Sequence, residues 1–117
     1  MRTLAILVAL VLVGACGHVP VSPLAAAARA GDLAAIDRLL AAGADINAGS
    51  GVNNWPPVIH AVHKGQVKAL EHLLDRGAVA DQPVRDRALD VARGSGDEVE
   101  VRAILAAFPV RQTSLSR

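Results

Sequence analysis

The side chains best able to bind a metal or take part in catalysis are four histidines and a single cysteine. His60 and His63 lie one helical turn apart, so a helix would place both imidazoles on one face. Two such imidazoles could begin a metal site, but a third ligand is needed and His72 is expected on a different helix. The pattern therefore favours exposed polar side chains over a metal centre.

Two aspartates could supply carboxylates for acid–base chemistry. Asp32 and Asp97 each follow a glycine and precede a helical pattern, which favours a role as helix N-caps that accept hydrogen bonds from unpartnered backbone N–H groups. The sequence has no glycine-rich phosphate loop, no serine elbow and no cysteine–histidine arrangement for catalysis. We therefore expect no enzymatic activity, no cofactor and no bound metal.

The composition limits the elements that could position these side chains. The 117 residues are enough for one domain, and 52% of them are apolar while only 2% are aromatic. Alanine, leucine and valine must therefore build the core, which favours close-packed helices. Lysine and arginine number 12 against 11 aspartates and glutamates. Such a balance provides no basic surface for neutralising phosphates, so no nucleic-acid partner is expected.

The N-terminal segment has the pattern of a secretory signal. Arg2 precedes an unbroken apolar run from Leu4 to Val13, which is shorter than the roughly 20 residues of a membrane-spanning helix. The next residues complete Val13-Gly14-Ala15-Cys16, which resembles the lipobox of bacterial lipoproteins. The resemblance implies cleavage before Cys16 and lipid on that cysteine. The alternative is an ordinary secretory signal cut near Ala15, with Cys16 as an incidental thiol.

We therefore expect a lipoprotein signal peptide over residues 1–15 and a tether over 16–21 that starts at lipidated Cys16. Each buried CH₂ of an acyl chain contributes about 0.8 kcal/mol, and two chains give stable anchoring. By resemblance to Gram-negative lipoproteins, Gly17 after the cysteine favours the periplasmic face of the outer membrane. A soluble periplasmic protein is the alternative. Residues 109–117 are expected to be a flexible tail.

An internal repeat is the most informative pattern in the chain. Aligning Gly31 with Gly65 superposes two segments in which every apolar or glycine position recurs, and a weaker third copy aligns at Gly96. The second half of each segment has apolar residues at i, i+3, i+6 and i+7, which is one stripe of a helix. Each copy is predicted to be a helix, a tight turn, a second helix, a glycine stop such as Gly43 or Gly77, and a loop. The predicted units span about residues 22–54, 55–85 and 86–108.

Two motifs in the first unit resemble the ankyrin repeat. Ser22-Pro23-Leu24 stands where that family has Thr-Pro-Leu, and residues 39–48 match its Leu-Leu-x-x-Gly-Ala-Asp-Val-Asn-Ala. The resemblance implies an all-α ankyrin-repeat solenoid over residues 22–108, with about three helix-turn-helix units joined by hairpin loops. An unrelated alanine-rich helical hairpin is the alternative. Glu98 replaces the Leu33 and Val67 of the earlier copies, as a terminal cap requires.

The resemblance also implies where binding occurs. Residues 45–55, called the finger loop below, correspond to the hairpin at the edge of the family's binding groove, and Trp55 lies at its end. Trp55 is interpreted either as an interface residue or as a side chain packed under its own loop. Ala26, His60 and Val91 occupy equivalent groove positions, with Gln82 as a further neighbour. The partner-binding residues predicted from the sequence are Trp55, Asn53, Asn54, His60, His63, Lys64, Asp81 and Arg85.

These expectations combine into a monomeric, lipid-anchored module that binds an envelope protein of unknown identity. Two more specific versions are an immunity-type protein that neutralises an effector acting in the periplasm, and a helper of a periplasmic stress-response enzyme. A structural role at the outer membrane is a further alternative. A fold alone does not determine which partner is bound.

Overall fold

The computed structural model describes residues 20–108, and this part of the chain contains six α-helices. They are α1 Pro23–Ala30, α2 Leu33–Ala41, α3 Pro57–His63, α4 Val67–Asp75, α5 Gln82–Ser95 and α6 Glu98–Ala107. The predicted signal peptide over residues 1–15, Cys16 and the predicted tail over 109–117 lie outside the described residues. Among the described helices, none combines the length and the apolar character needed to cross a membrane.

The helices form three helix-turn-helix units stacked side by side. Within each unit the two helices pack against each other, and α3 and α4 lie between the helices of the first and third units. Contacts along the row α1, α3 and α5 are far more extensive than those along the row α2, α4 and α6. The row with closer spacing lies on the concave side of a curved stack, so α1, α3 and α5 form the inner layer.

Side-chain caps begin both helices of the first unit, and the predicted Asp32 cap and Gly43 stop are confirmed. The Ser22 hydroxyl accepts a hydrogen bond from the Ala25 N–H at 3.1 Å, with Pro23 at the first helical position. Asp32 caps α2 in the same way, since its Oδ1 accepts from the Ala35 N–H at 3.0 Å. Gly43 follows α2 with φ of 101°, a conformation that is strained for any residue with a Cβ.

Small and branched aliphatic side chains fill the core. The largest fully buried side chains are, in order of volume, Ile36, Ile59, Leu70, Leu73, Val58, Val62, Val101 and Pro57. Buried alanines such as Ala28, Ala61 and Ala92 stand between them and let the inner helices approach closely. Fully burying one such large aliphatic side chain contributes about 1.5–3 kcal/mol. The alanine, leucine and valine core predicted from the composition is therefore present.

The third unit begins earlier than the sequence predicted. The boundary expected between residues 85 and 86 falls inside α5, whose N-cap is Asp81 with Pro83 in the first turn. The Asp81 Oδ1 accepts from the Val84 N–H at 3.2 Å. Asp81-Gln82-Pro83 is thus a helix-start signal like Ser22-Pro23. The repeat alignment does not predict it, because that alignment rests on the glycines that follow the helices.

The exposed end of the third unit is polar, as predicted for a cap. Asp90 and Arg93 stand where the second unit has buried Ile59 and Val62, and their side chains pair at 2.9 Å. Arg93 also binds Glu98, which occupies the first position of α6. This end of the stack therefore presents paired charges to solvent where an inner unit would present aliphatic side chains.

An ion cluster joins the outer helices of the first two units. Asp37 on α2 accepts hydrogen bonds from His72 at 2.9 Å and from the Arg76 Nε at 3.0 Å. The bonds from Arg76 and then His72 hold the pKa of Asp37 below its usual value. His72, which the sequence placed on a different helix from His60 and His63, therefore links two units.

Candidate protein-interaction surface

The finger loop folds back on itself through a short set of backbone hydrogen bonds. The Ser50 N–H donates to the Trp55 carbonyl at 3.0 Å, and this pair is an isolated antiparallel bridge. Between them, the Asn54 N–H donates to the Gly51 carbonyl at 3.1 Å. Gly51 and Asn54 both have positive φ, of 79° and 52°, which glycine and asparagine adopt most readily. The hairpin that the resemblance implied for residues 45–55 is therefore present.

Only glycine fits at position 49, at the base of the turn. A Cβ at Gly49 would lie 2.5 Å from both the carbonyl and the side-chain oxygen of Asn54. No ordinary side chain fits there without moving the backbone of the turn. Gly49 therefore allows the two sides of the finger loop to close on each other.

Hydrogen bonds also hold the finger loop to its neighbours. The Asp45 Oδ1 accepts from the Asn47 N–H at 2.9 Å, and the Asn47 side-chain carbonyl accepts from the Val79 N–H of the next loop at 2.8 Å. On the other side, the Gly51 N–H donates to the Pro20 carbonyl at 3.2 Å. The finger loop is therefore a fixed platform between the start of the first unit and the start of the third.

Trp55 packs at the base of the finger loop. It is half-buried, and its ring lies 5.8 Å from that of His60 in an edge-on arrangement and 5.3 Å from that of His63. It also packs against the hydrophobic core. Its indole N–H is buried without a hydrogen-bond partner in the structure. This placement supports the interpretation in which Trp55 packs under its own loop, and it leaves one part of the ring accessible.

The expected exposure of His60 is wrong. Its side chain is only 4% exposed, because the finger loop and α1 cover it. The imidazole Nε2 lies 3.1 Å from the Ser50 carbonyl, and the Arg29 Nη1 lies 3.3 Å from Nδ1. Burial, followed by Arg29 and His63, holds the pKa of His60 below its usual value. The hydrogen bonds that the ring makes to the Ser50 and Trp55 backbone act in the opposite direction and raise it.

Arg85 is held within the protein instead of lying free beside the groove. Its Nε donates to the Ala80 carbonyl at 2.7 Å, and its Nη1 donates to the Leu105 carbonyl at 2.8 Å. The second bond satisfies one of the carbonyls near the end of α6. Arg85 therefore stabilises the third unit. Asp81 remains exposed but already caps α5.

The remaining predicted residues form a continuous exposed set. Asn53 and Asn54 are exposed at the tip of the finger loop beside Val52, which is 83% exposed. His63 and Lys64 are exposed at the end of α3. Trp55 connects the two groups through its contact with His63. We call these six residues, 52–55 with His63 and Lys64, the finger surface. The further groove residues predicted beside it are Ala26 and Gln82, which are exposed, and Val91, which is half-buried.

Within residues 20–108, no three histidine, cysteine, aspartate or glutamate side chains come together as a possible metal site. Asp97 occupies the N-cap position of α6, as predicted, but its side chain makes no capping hydrogen bond. The predicted role as a helix N-cap is therefore confirmed for Asp32. For Asp97, only the position at the start of the helix is confirmed.

Comparison with known proteins shows a similarity to ankyrin repeats. Residues 24–74 match the family model described as ankyrin repeats, many copies. The crystal structure of the human ASB11 ankyrin repeat domain is similar to this chain, with a TM-score of 0.60 and 29% sequence identity. The similarity covers 77% of this chain and 41% of the ASB11 chain, so this chain spans less than half of that protein's length. The sequence matches no curated protein. The predicted all-α ankyrin-repeat solenoid is confirmed.

Proposed function

Because residues 20–108 fold as an all-α ankyrin-repeat solenoid, we propose that this chain is a binding module that recognises another protein through its finger surface. Ankyrin repeats imply protein–protein binding, and the fold is typical of interaction scaffolds without catalytic activity. The observation that carries the assignment to this surface is the finger loop, whose tip is exposed while its base is fixed on both sides by hydrogen bonds.

The rigidity of the finger loop favours binding. A loop already held in one conformation loses less conformational entropy when a partner docks, so more of the contact energy contributes to affinity. The finger surface combines an exposed valine, two asparagine amides and one lysine around the half-buried Trp55. An aromatic ring surrounded by polar groups is a common composition for an interface centre and its rim.

The tether would place this surface close to a membrane. Pro20 accepts a hydrogen bond from the finger loop at Gly51, and only three residues, 17–19, lie between Pro20 and Cys16. The four residue-to-residue steps from Cys16 to Pro20 span at most about 14 Å. We propose that Cys16 carries lipid at the periplasmic face of the outer membrane, which would hold the finger surface near the bilayer. The partner would then be an envelope protein that is accessible at that membrane.

A pull-down with paired lysine variants tests the binding surface. The bait is the full chain, used as the wild type, as Lys64→Glu on the finger surface and as Lys68→Glu on α4. Both lysines are exposed and both changes reverse one charge, so non-specific electrostatic effects are matched. A solubilised envelope protein retained by the wild type and by Lys68→Glu, but lost by Lys64→Glu, would support the proposal. Equal retention by both variants, or equal loss, would contradict it.

Mass spectrometry of the mature N-terminus tests the anchor separately. We expect an N-terminal peptide that begins at lipid-modified Cys16, and loss of membrane association in Cys16→Ser. An unmodified Cys16 terminus would remove the anchor while leaving the binding surface untouched. The identity of the captured protein would then decide between the immunity-type and stress-response alternatives, since the first requires a toxic effector and the second an enzyme.

A further inference from the structure

His60 is the buried titratable side chain within residues 20–108, and the proposed binding mechanism does not use it directly. It lies on α3 beneath the finger loop, in contact with elements that are distant in sequence. Arg29 comes from α1, and Ser50 and Trp55 come from the finger loop. The His60 ring on α3 therefore contacts both α1 and the finger loop.

The hydrogen bonds define one protonation state. A guanidinium only donates, so the His60 Nδ1 must accept from the Arg29 Nη1 at 3.3 Å. The Ser50 carbonyl only accepts, so the Nε2 must carry a proton and donate at 3.1 Å. The neutral imidazole with its proton on Nε2 satisfies both partners. A second proton on Nδ1 would face the Arg29 donor, remove that hydrogen bond and add a like charge.

The imidazole is also in contact with the backbone of the finger loop. A Cβ at Gly51 would lie 3.4 Å from the His60 Cε1, so ring and loop touch without a spacer. The bonded Ser50 is the residue that pairs with Trp55 and closes the finger loop. Any change in the bond between His60 and Ser50 is therefore transmitted to the base of the finger surface.

We propose that His60 is a pH-sensitive link that fixes the finger loop to α1 and α3 when neutral and releases it when protonated. Protonation leaves the Nε2 bond to the Ser50 carbonyl in place, but it removes the Arg29 bond and puts a charge on a buried ring. That cost is relieved when the finger loop, which covers the ring, opens to water. The effect of this opening on partner binding, which is expected to weaken on acidification, rests on the proposed function of the finger surface.

The surroundings of His60 support this direction. The charged or titratable side chains that act on it are Arg29 from α1 and His63 from α3. Burial, together with these two side chains, lowers the pKa of His60 below its ordinary value near 6.5, and this effect exceeds that of the hydrogen bonds to the Ser50 and Trp55 backbone, which raise it. An opened or unfolded loop therefore takes up the proton first. The stabilising link is complete above about pH 6.5 and weakens as the pH falls below that value.

Amide hydrogen exchange of the full chain tests the link without a partner. Protection factors of the Ser50 and Gly51 amides are measured by NMR between about pH 8 and about pH 5, the range in which histidines change charge. In the wild type we expect both protection factors to fall several-fold on acidification. In His60→Gln, which cannot titrate, they should not depend on pH. The matched control is His72→Gln on α4, which removes a histidine of the outer layer that is bonded to Asp37. Its Ser50 and Gly51 amides should keep the pH dependence of the wild type.

Histidine nitrogen shifts provide a second readout if His60→Gln fails to fold. In the wild type, His60 should be neutral with its proton on Nε2 at neutral pH, and its pKa should lie below the ordinary histidine value near 6.5. A proton on Nδ1, a His60 pKa at or above that ordinary value, or loop protection that does not change with pH would overturn the proposal. A pH-sensitive loop with no partner at the finger surface would refute the proposed function alone.

Discussion

At the scale of single residues, hydrogen bonds between near neighbours could be predicted and those between distant residues could not. Ser22 and Asp32 cap their helices as expected, because a cap needs only the residue and the backbone three positions later. The burial of His60 was not predicted, because it depends on Arg29 and Ser50, which lie 31 and 10 positions away. Nothing in the local sequence around His60 distinguishes a buried histidine from an exposed one.

Asp32 and Asp97 occupy equivalent positions in the repeat, but only Asp32 makes a capping hydrogen bond. Their contributions to the free energy of unfolding should therefore differ. We expect Asp32→Ala to lower the free energy of unfolding by about 1 kcal/mol, because it removes the acceptor for the Ala35 N–H. Asp97 accepts no capping bond, so Asp97→Ala should cost clearly less. Urea denaturation followed by Trp55 fluorescence measures both. Equal losses would show that the Asp32 hydrogen bond does not contribute to stability.

At the scale of elements, the repeat and its glycines predicted the helix-turn-helix units. The alignment placed the start of the third unit too late in the chain. Gly43 and Gly77 end the second helices with φ of 101° and 98°, as the pattern indicated. The start of α5 was missed because α5 is longer than α1 and α3 and begins before the aligned positions. The finger loop was predicted from the resemblance to the ankyrin repeat. Its bonds to Pro20 and Val79 were not, since they join residues of different loops.

The terminal glycines allow a test in which backbone conformation is the only variable. A Cβ at Gly43, Gly77 or Gly94 would meet no atom within 4 Å, so none of these sites is sterically blocked. Gly43→Ala and Gly77→Ala should each destabilise the fold by about 1–2 kcal/mol, because alanine is strained at these φ values. The matched control Gly94→Ala lies within α5 and should leave stability unchanged or raise it by up to about 1 kcal/mol. Thermal unfolding compares the three, and equal effects would contradict this account.

At the scale of the whole molecule, the stack has two different ends and two different layers. The third unit closes the stack with paired charges, where Glu98 replaces an aliphatic residue as predicted. The inner layer and the finger loop together form the side on which the finger surface lies, and α2, α4 and α6 form the other side. The ion cluster of Asp37, His72 and Arg76 holds the outer layer together and was not predictable, since its members come from different units. Only one side of the molecule is assigned to binding.

Two exposed valines on these different sides provide the most direct test of that assignment. Val52 at the tip of the finger loop is 83% exposed and Val99 on α6 is 80% exposed, so a photo-crosslinking amino acid at either position is equally accessible. If the finger surface binds protein, the residue-52 variant should crosslink one defined envelope protein, excess unlabelled chain should compete for it, and the residue-99 variant should not capture it. Capture of the same protein with equal yield from both positions, or from residue 99 alone, would contradict the central claim that this ankyrin-repeat stack binds its partner through the finger surface.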